Sequence, residues 1–366
     1  MPATIYPLVE SWDPCRICGS QSLRPLHVYK SRRMILPERF LALLGCEDCG
    51  VVQSTPVPSA EALDAWYTEP YGWETRSRDD EEKLIRRAKK KEERYAERLE
   101  LLRVHLRPVG TGGPPTVFDF GCGLGSWLDV LQSVGWETSG LEPGPKQARV
   151  AARRHRMLDS IPADGRFDLV IANHVLEHLL DPLATVREIA GALAPGGQIF
   201  VSVPDFGRVH VHRDLPYVAS DVHMNSFTFS GMRSLLALAG FEVEEQLEGA
   251  EWDTLSKKVP PALRVLARKS DRAPFPVEGT PLDQAVDALR ELGRIESREE
   301  TDQWVASRTA SRSGTVADAE AADAERAGAE PTATMANGQR ARAAYADGEA
   351  TSRPSSALGR FLARRR

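Results

Sequence analysis

The stretch VFDFGCGLGSWLDVLQSVGW at 117–136 constrains this chain more than any other. A short apolar run enters Gly121, Gly123 and Gly125, and an amphipathic segment leaves them, which is the order strand, tight turn, helix. Glycine permits positive φ and close backbone approach, and the first turn of the following helix presents N–H groups without intrahelical acceptors. Such a loop suits a bound ligand. The next apolar run, SGLE, ends in Glu142, about twenty residues on, where a carboxylate can accept hydrogen bonds from both hydroxyls of a ribose. Together these features describe a nucleoside pocket at the carboxyl edge of a sheet.

DLVIAN and QIFVSV follow as further strands, a helix is expected over 229–239, and FEVEEQLEG and LRVLARKS read as the final strands. Strand and helix in alternation predict an α/β, Rossmann-like fold, with a mostly parallel seven-stranded sheet covered on both faces. Only RHRMLDSIPADGR separates the second helix from FDLV, so the third strand is short or absent. A dinucleotide site would place its third glycine one residue later, where Ser126 stands, which disfavours an NAD-dependent enzyme without removing it.

On these residues the sequence resembles the class I S-adenosylmethionine-dependent methyltransferases. DFGCGLG matches that family's first motif, LEP at 141–143 its second, FDLVIANHVLEHL its fourth and LAPGGQIFVSVP the turn before the fifth strand, over roughly residues 117–270. The resemblance implies that Asp119 helps hold the methionine amino group, that Gly121, Gly123 and Gly125 accommodate the cofactor and that Glu142 binds its ribose. It also places Asn173 on the cofactor side and makes Asp159 the adenine-side candidate. Cys122 is a small loop residue with no chemistry of its own.

After DLVIAN come His174, Glu177 and His178. If this hexamer is helical, the two histidines share a face with Glu177 beside them, aimed at the pocket. Three readings stay open: a general base, a divalent-cation site, or a packing turn bonded to backbone. His223, in DVHMNSFTF, resembles the substrate-facing histidine before the family's penultimate helix and is the second base candidate. His210 and His212 alternate in RVHVHRD in a strand-like way and read as exposed.

CRICG and CEDCG are two knuckles of identical form, so Cys15, Cys18, Cys46 and Cys49 can complete a four-sulfur zinc shell. With no open position such an ion is structural; a redox pair or an iron–sulfur cluster are the alternatives. The knuckles and the following CGVVQSTPVPSAEALDAWYTEPYGW resemble the N-terminal part of bacterial methyltransferases of sugar and surface-glycan modification, including deoxysugar C-methyltransferases. That resemblance implies a sugar, glycan or small-molecule acceptor. Trp66, Tyr67, Tyr71 and Trp73 could line its groove, but packing against the next helix is the preferred reading.

The chain divides into a cysteine module (1–58), a linker with a long helix (59–108), the catalytic domain (109–270), a weakly helical extension (271–305) and a low-complexity tail (306–366) expected to be disordered. Leu84, Ala88, Tyr95, Leu99, Leu102 and Leu106 place one apolar stripe on the long helix. A formal charge of -5 gives no general attraction to nucleic acid or anionic membrane. The N-terminus lacks a basic-then-apolar leader and no apolar run approaches the roughly 20 residues of a bilayer span, so a cytoplasmic location is expected. Besides the NAD reading, a non-catalytic zinc-ribbon scaffold is a rival; RNA methylation through a metal at the histidines lacks a basic groove.

Overall fold

The computed structural model describes residues 13–30, 34–37, 40–68, 81–110, 112–212, 214–249, 252, 261–270 and 282–293. Tyr71, Trp73 and the tail over 306–366 lie outside them. The first elements are β1 (Leu23–Lys30), β2 (Phe40–Cys46), β3 (Val52–Thr55), α1 (Ala60–Thr68) and α2 (Glu81–Arg103). The long helix forms because 23 residues without proline or glycine are mostly straight-chain helix formers, with Glu81 and Glu82 at its positive end and Arg103 at its negative end. Leu84, Ala88, Leu99 and Leu102 are its buried stripe, and Tyr95 meets Trp127 edge-on with ring centroids 5.2 Å apart.

From here strand and helix alternate: β4 (Thr116–Phe120), α3 (Ser126–Ser133), β5 (Glu137–Leu141), α4 (Pro145–Ala151), β6 (Arg156–Met157), β7 (Phe167–Asn173), α5 (Pro182–Ala192) and β8 (Leu193–Pro204). Two short helices, α6 (Val209–His212) and α7 (Leu215–Val218), precede β9 (Asn225–Ser226), α8 (Phe229–Leu238), β10 (Phe241–Gln246), β11 (Ala262–Lys269) and α9 (Asp283–Glu291). The large sheet has the order β10-β11-β8-β7-β4-β5-β6. Its pairs are parallel except those of β11, which runs antiparallel to both β8 and β10. This differs from the all-parallel order of dinucleotide folds. The short third strand appears as the two residues of β6.

Successive residues of β4 face opposite layers. Phe118 and Phe120 join one core with α5 and α8, whereas Val117 joins the other with Leu102 of α2 and Leu128 of α3. Burial on both faces explains why the central strands are continuously apolar. The chain leaves β4 toward β5 on one side and reaches β7 on the other, so a crevice opens at the carboxyl ends of these strands. Gly121, Glu142 and His174, the residues just past the three strand ends, are carried to that crevice.

The cysteine module forms a second sheet, β1-β2-β3-β9. Its last strand comes from the loop after His223: Val52 pairs with Ser226 and Gln53 with Asn225. The module is therefore not self-contained. Cys15, Ile17 and Val51 share a core with Met232 and Leu235 of α8, while Leu282, Ala285 and Leu289 pack α9 and the residue before it against Leu26, Leu41 and Leu43 of the small sheet. The weak periodicity of that extension thus conceals a helix with a fully buried face.

One expectation is corrected here. His210 and His212 fall in α6, not in a strand, and His210 Nε2 stands 3.0 Å from Glu291 Oε2. Trp66 and Tyr67 line the crevice, and Tyr67 also packs against the small core of Leu63 and Met224. Among the described residues no helix is long and apolar enough to cross a membrane.

Candidate functional site

The crevice encloses about 890 Å³. On its β4 side Gly121 and Gly123 have φ of +79° and +56°, values that L side chains adopt only at a cost. A Cβ on Gly121 would stand 2.5 Å from Val175 Cγ2, whereas one on Gly123 would meet nothing within 4 Å. The first glycine is thus required by packing, and the second leaves space on the cavity wall. The amides of Gly121 and Cys122 donate to the Leu141 carbonyl at 2.8 and 3.0 Å, which ties the loop to β5. Glu142 Oε2 accepts from Gly123 N and Oε1 from Gly144 N, both at 2.8 Å, so its carboxylate is braced at the cavity edge.

Asp119 is buried at 2 % exposure, and its Oδ1 has no hydrogen-bond partner. Burial and then the nearby Glu142 hold its carboxyl well above the usual range. Asn173 lines the cavity, whereas Gly125, the N-cap of α3, faces His155 outside it. Asp159 is exposed just past β6 and does not line it either.

The histidine segment departs from expectation. His174 has φ +57° and only Leu176–His178 form a single 3₁₀ turn, so no continuous helix carries both histidines. A left-handed residue cannot sit inside a right-handed helix, so His174 redirects the chain as it leaves β7. The turn nevertheless gathers the side chains: Glu177 Oε1 lies 3.3 Å from His174 Nδ1 and 3.9 Å from His178 Nε2. Burial pushes the Glu177 carboxyl up, but the hydrogen bond from His174 and the neighbouring imidazoles outweigh it and hold it down at about 2.

His223 is brought to the same place, its ring 4.6 Å from that of His178 and nearly perpendicular to it. His178 Nδ1 donates to the Val222 carbonyl at 2.9 Å and His223 Nδ1 to that of Tyr217 at 2.6 Å. These bonds assign the protons to Nδ1 and leave each Nε2 as an acceptor. Burial lowers both imidazoles, His223 to about 3 with the neighbouring His178 adding to the effect, so both are neutral near pH 7. Glu177, His178 and His223 each offer one ligand atom within 4.8 Å of the others.

At the knuckles the Cys15 and Cys49 sulfurs are 3.6 Å apart and those of Cys18 and Cys46 3.5 Å. Four sulfurs at about 2.3 Å from a tetrahedral zinc are about 3.8 Å from one another, so the four fit that ion. Between Cys15 and Cys18, Arg16 reaches across the sheet. Its Nη2 donates to the Met224 carbonyl at 2.7 Å and its Nε to Asn225 Oδ1 at 3.3 Å. Asn225 Nδ2 donates in turn to the carbonyls of Leu179 at 2.7 Å and Leu176 at 3.4 Å. A polar relay therefore joins the first knuckle to the turn that holds Glu177 and His178.

Residues 82–246 match the family model described as a methyltransferase domain. This segment is a methyltransferase domain. Among curated proteins, the chain is 36 % identical over 99 residues to a "Ubiquinone biosynthesis O-methyltransferase" of Methylobacterium sp. (strain 4-46), covering 24 % of this chain and 40 % of that one. A protein of the same name from Xanthomonas axonopodis pv. citri is 31 % identical over 119 residues, 29 % and 48 % of the two chains. The chain thus spans less than half the length of the curated relatives it matches. A solved structure, the Burkholderia thailandensis 1,6-didemethyltoxoflavin-N1-methyltransferase, aligns with a TM-score of 0.42 at 19 % identity over 65 % of this chain and 98 % of that one, too distant a likeness to bear on substrate.

Sequence reasoning did not find every wall of the methyltransferase domain's crevice. Met34 enters from the cysteine module on a loop anchored by Asp221 Oδ2, which accepts from the amides of Ile35 at 2.7 Å and Leu36 at 2.9 Å. Tyr67 of α1 sets its ring edge-on to His178 at 6.2 Å. Lys91, Arg94 and Arg98 of α2 also face the crevice. Lys91 falls in the gap between Ala88 and Tyr95 in the apolar stripe, and a cation at that step was the available signal.

Proposed function

We propose that the chain is an S-adenosylmethionine-dependent methyltransferase that transfers a methyl group to a hydroxyl, or a carbon, of a sugar, glycan or small-molecule acceptor. One observation carries this reading: a single crevice joins the glycine loop and Glu142 to the Nε2 atoms of His178 and His223. The bound donor would supply an activated methyl group on a sulfonium. Asp119, with its unpartnered oxygen, suits the donor's ammonium; Gly121 and Gly123 make room for its chain, and Glu142 suits its ribose. His178 or His223, neutral and with Nε2 unprotonated, takes the proton from the attacking hydroxyl. Tyr67, Trp66 and Met34 exclude water from that step. The curated relatives' O-methyltransferase names favour an oxygen acceptor.

The test is a screen of methyl transfer to nucleotide sugars, glycans and phenols, read as S-adenosylhomocysteine formed. Turnover with one class is expected, and cofactor binding without turnover on any would favour the scaffold reading. His178→Ala and His223→Ala are expected to lower kcat by about 10²- to 10⁴-fold for whichever residue is the base. With burial lowering either candidate base, any acid limb of kcat should fall below the ordinary histidine value of about 6.5, and a limb at or above it would contradict the assignment.

Cofactor binding should also carry a proton signature. Burial raises the Asp119 carboxyl in the free protein and an ammonium beside it would lower it again, so binding that places the ammonium there releases protons over the pH range of that shift, and affinity rises with pH across it. Calorimetry in two buffers of different ionisation enthalpy measures this; no release, or proton uptake, would remove Asp119 from the donor site.

A second reading has one observation in its favour. Both histidines donate an Nδ1–H hydrogen bond to a backbone carbonyl, as metal-bound histidines do, and Glu177 Oε2 is buried without a partner. If a divalent cation on Glu177, His178 and His223 orients the acceptor hydroxyl, chelator should abolish turnover and magnesium or manganese restore it. Turnover indifferent to both leaves the base alone.

A further inference from the structure

Helix α2 turns three cations into the crevice: Lys91, Arg94 and Arg98, at steps of three and four residues on one face. The neighbouring charges of the helix surface are paired where they meet solvent, as Arg86 is with Glu82 and Arg103 with Glu100. The inward set differs. Arg94 Nε is buried without a hydrogen-bond partner, and among the described residues neither Lys91 nor Arg94 makes an ion pair. Burial, and then the charges of Arg87, Arg94 and Arg98, depress the Lys91 ammonium. Like charges gathered at the wall of a cavity are costly unless an anion occupies it.

The donor's amino-acid end accounts for part of this charge, because it carries one carboxylate. Arg98 is placed for it: the guanidinium lies 5.4 Å from the centre of the Tyr95 ring, which packs on Trp127 at the start of α3, beside the Asp119 strand end. Lys91 starts two turns away, about 10 Å along the helix axis, and Arg94 about 6 Å. A single carboxylate only a few ångströms wide does not call for all three.

We propose that Lys91 and Arg94 form an anion subsite for the acceptor, and that the acceptor carries a phosphate or pyrophosphate group. This rests on the methyltransferase reading and narrows it to phosphorylated acceptors, among which nucleotide-linked sugars combine a pyrophosphate with the hydroxyls that a base could deprotonate. The overall charge of -5 gives no general pull on anions, so the attraction is local to this wall.

The test uses the full chain with zinc in place. S-Adenosylhomocysteine is titrated first; if it does not bind, the methyltransferase reading fails and not this one alone. Protein saturated with S-adenosylhomocysteine is then titrated with inorganic pyrophosphate and with uridine diphosphate. Binding of either is expected, weakening with salt, and Lys91→Ala and Arg94→Ala should each weaken it about tenfold while leaving S-adenosylhomocysteine affinity within about twofold. Two outcomes overturn the proposal: no pyrophosphate or uridine diphosphate binding to the saturated protein, or variants that lose S-adenosylhomocysteine instead, which would assign all three cations to the donor. Lys91→Arg keeps the charge and should retain binding, which separates loss of charge from damage to the helix.

Discussion

Serine in place of Cys49 is expected to remove zinc from the protein and to lower its melting temperature by about 10 °C or more. Structural zinc contributes about 10–16 kcal/mol of binding energy in small domains, so losing even a third of that exceeds what the short strands β1 to β3 can supply. The effect should reach the turn that holds Glu177 and His178. Without the knuckle Arg16 loses its anchorage, Asn225 loses a partner, and the carbonyls of Leu176 and Leu179 are held less firmly. Misplacement by about 1 Å of groups around a reacting centre can cost about 10²-fold in rate. Arg16→Ala isolates the relay, since it keeps all four sulfurs: zinc content should stay at one per chain while kcat falls and the KM for the donor changes little. Zinc measured by plasma emission with steady-state kinetics on both variants decides this. A Cys49→Ser protein with native melting and turnover would show that the module is dispensable.

The second large effect is expected at Glu142. Replacing it with alanine leaves the amides of Gly123 and Gly144 without their 2.8 Å partners and removes the carboxylate proposed to accept the ribose hydroxyls. Hydrogen bonds to a charged group contribute about 1.5–3 kcal/mol each, so donor affinity should fall by about 100-fold or more. Gly123→Val gives an independent test, because its Cβ meets no protein atom within 4 Å and would project into the crevice proposed to hold the donor. Gly121→Val is a poorer choice: the 2.5 Å approach to Val175 puts folding itself at risk. Equilibrium binding and thermal melting on the same samples separate these cases. Glu142→Ala with undiminished donor affinity would move the ribose elsewhere.

Much of the fold was legible because it rests on local patterns. The strand, glycine loop and helix at 117–136, the spacing to Glu142 and the brevity of β6 all follow from short stretches whose periodicity and turn residues agree. Other features depend on partners distant in sequence. β9 is only two residues, Asn225 and Ser226, and has no strand signal of its own until β3 offers it an edge. Tyr67 and Trp66 read as core aromatics because sequence does not tell a cavity wall from a packed interior. The cations of α2 were hidden differently: in a helix charged on most sides, Lys91 and Arg94 look like any solvated residue until the apolar stripe is seen to run beneath them. His174 was misread because a helical hexamer was the simplest frame for His-x-x-Glu-His, and nothing in a single sequence announces a left-handed histidine.

The central claim is that the crevice between the ends of β4, β5 and β7 is built for the donor nucleoside. Isothermal titration of the folded, zinc-loaded chain with S-adenosylhomocysteine tests it most directly. One site per chain with micromolar or tighter affinity, weakened by Glu142→Ala, is the result predicted. No heat and no competition with the methyl donor, on protein whose melting is cooperative, would contradict it.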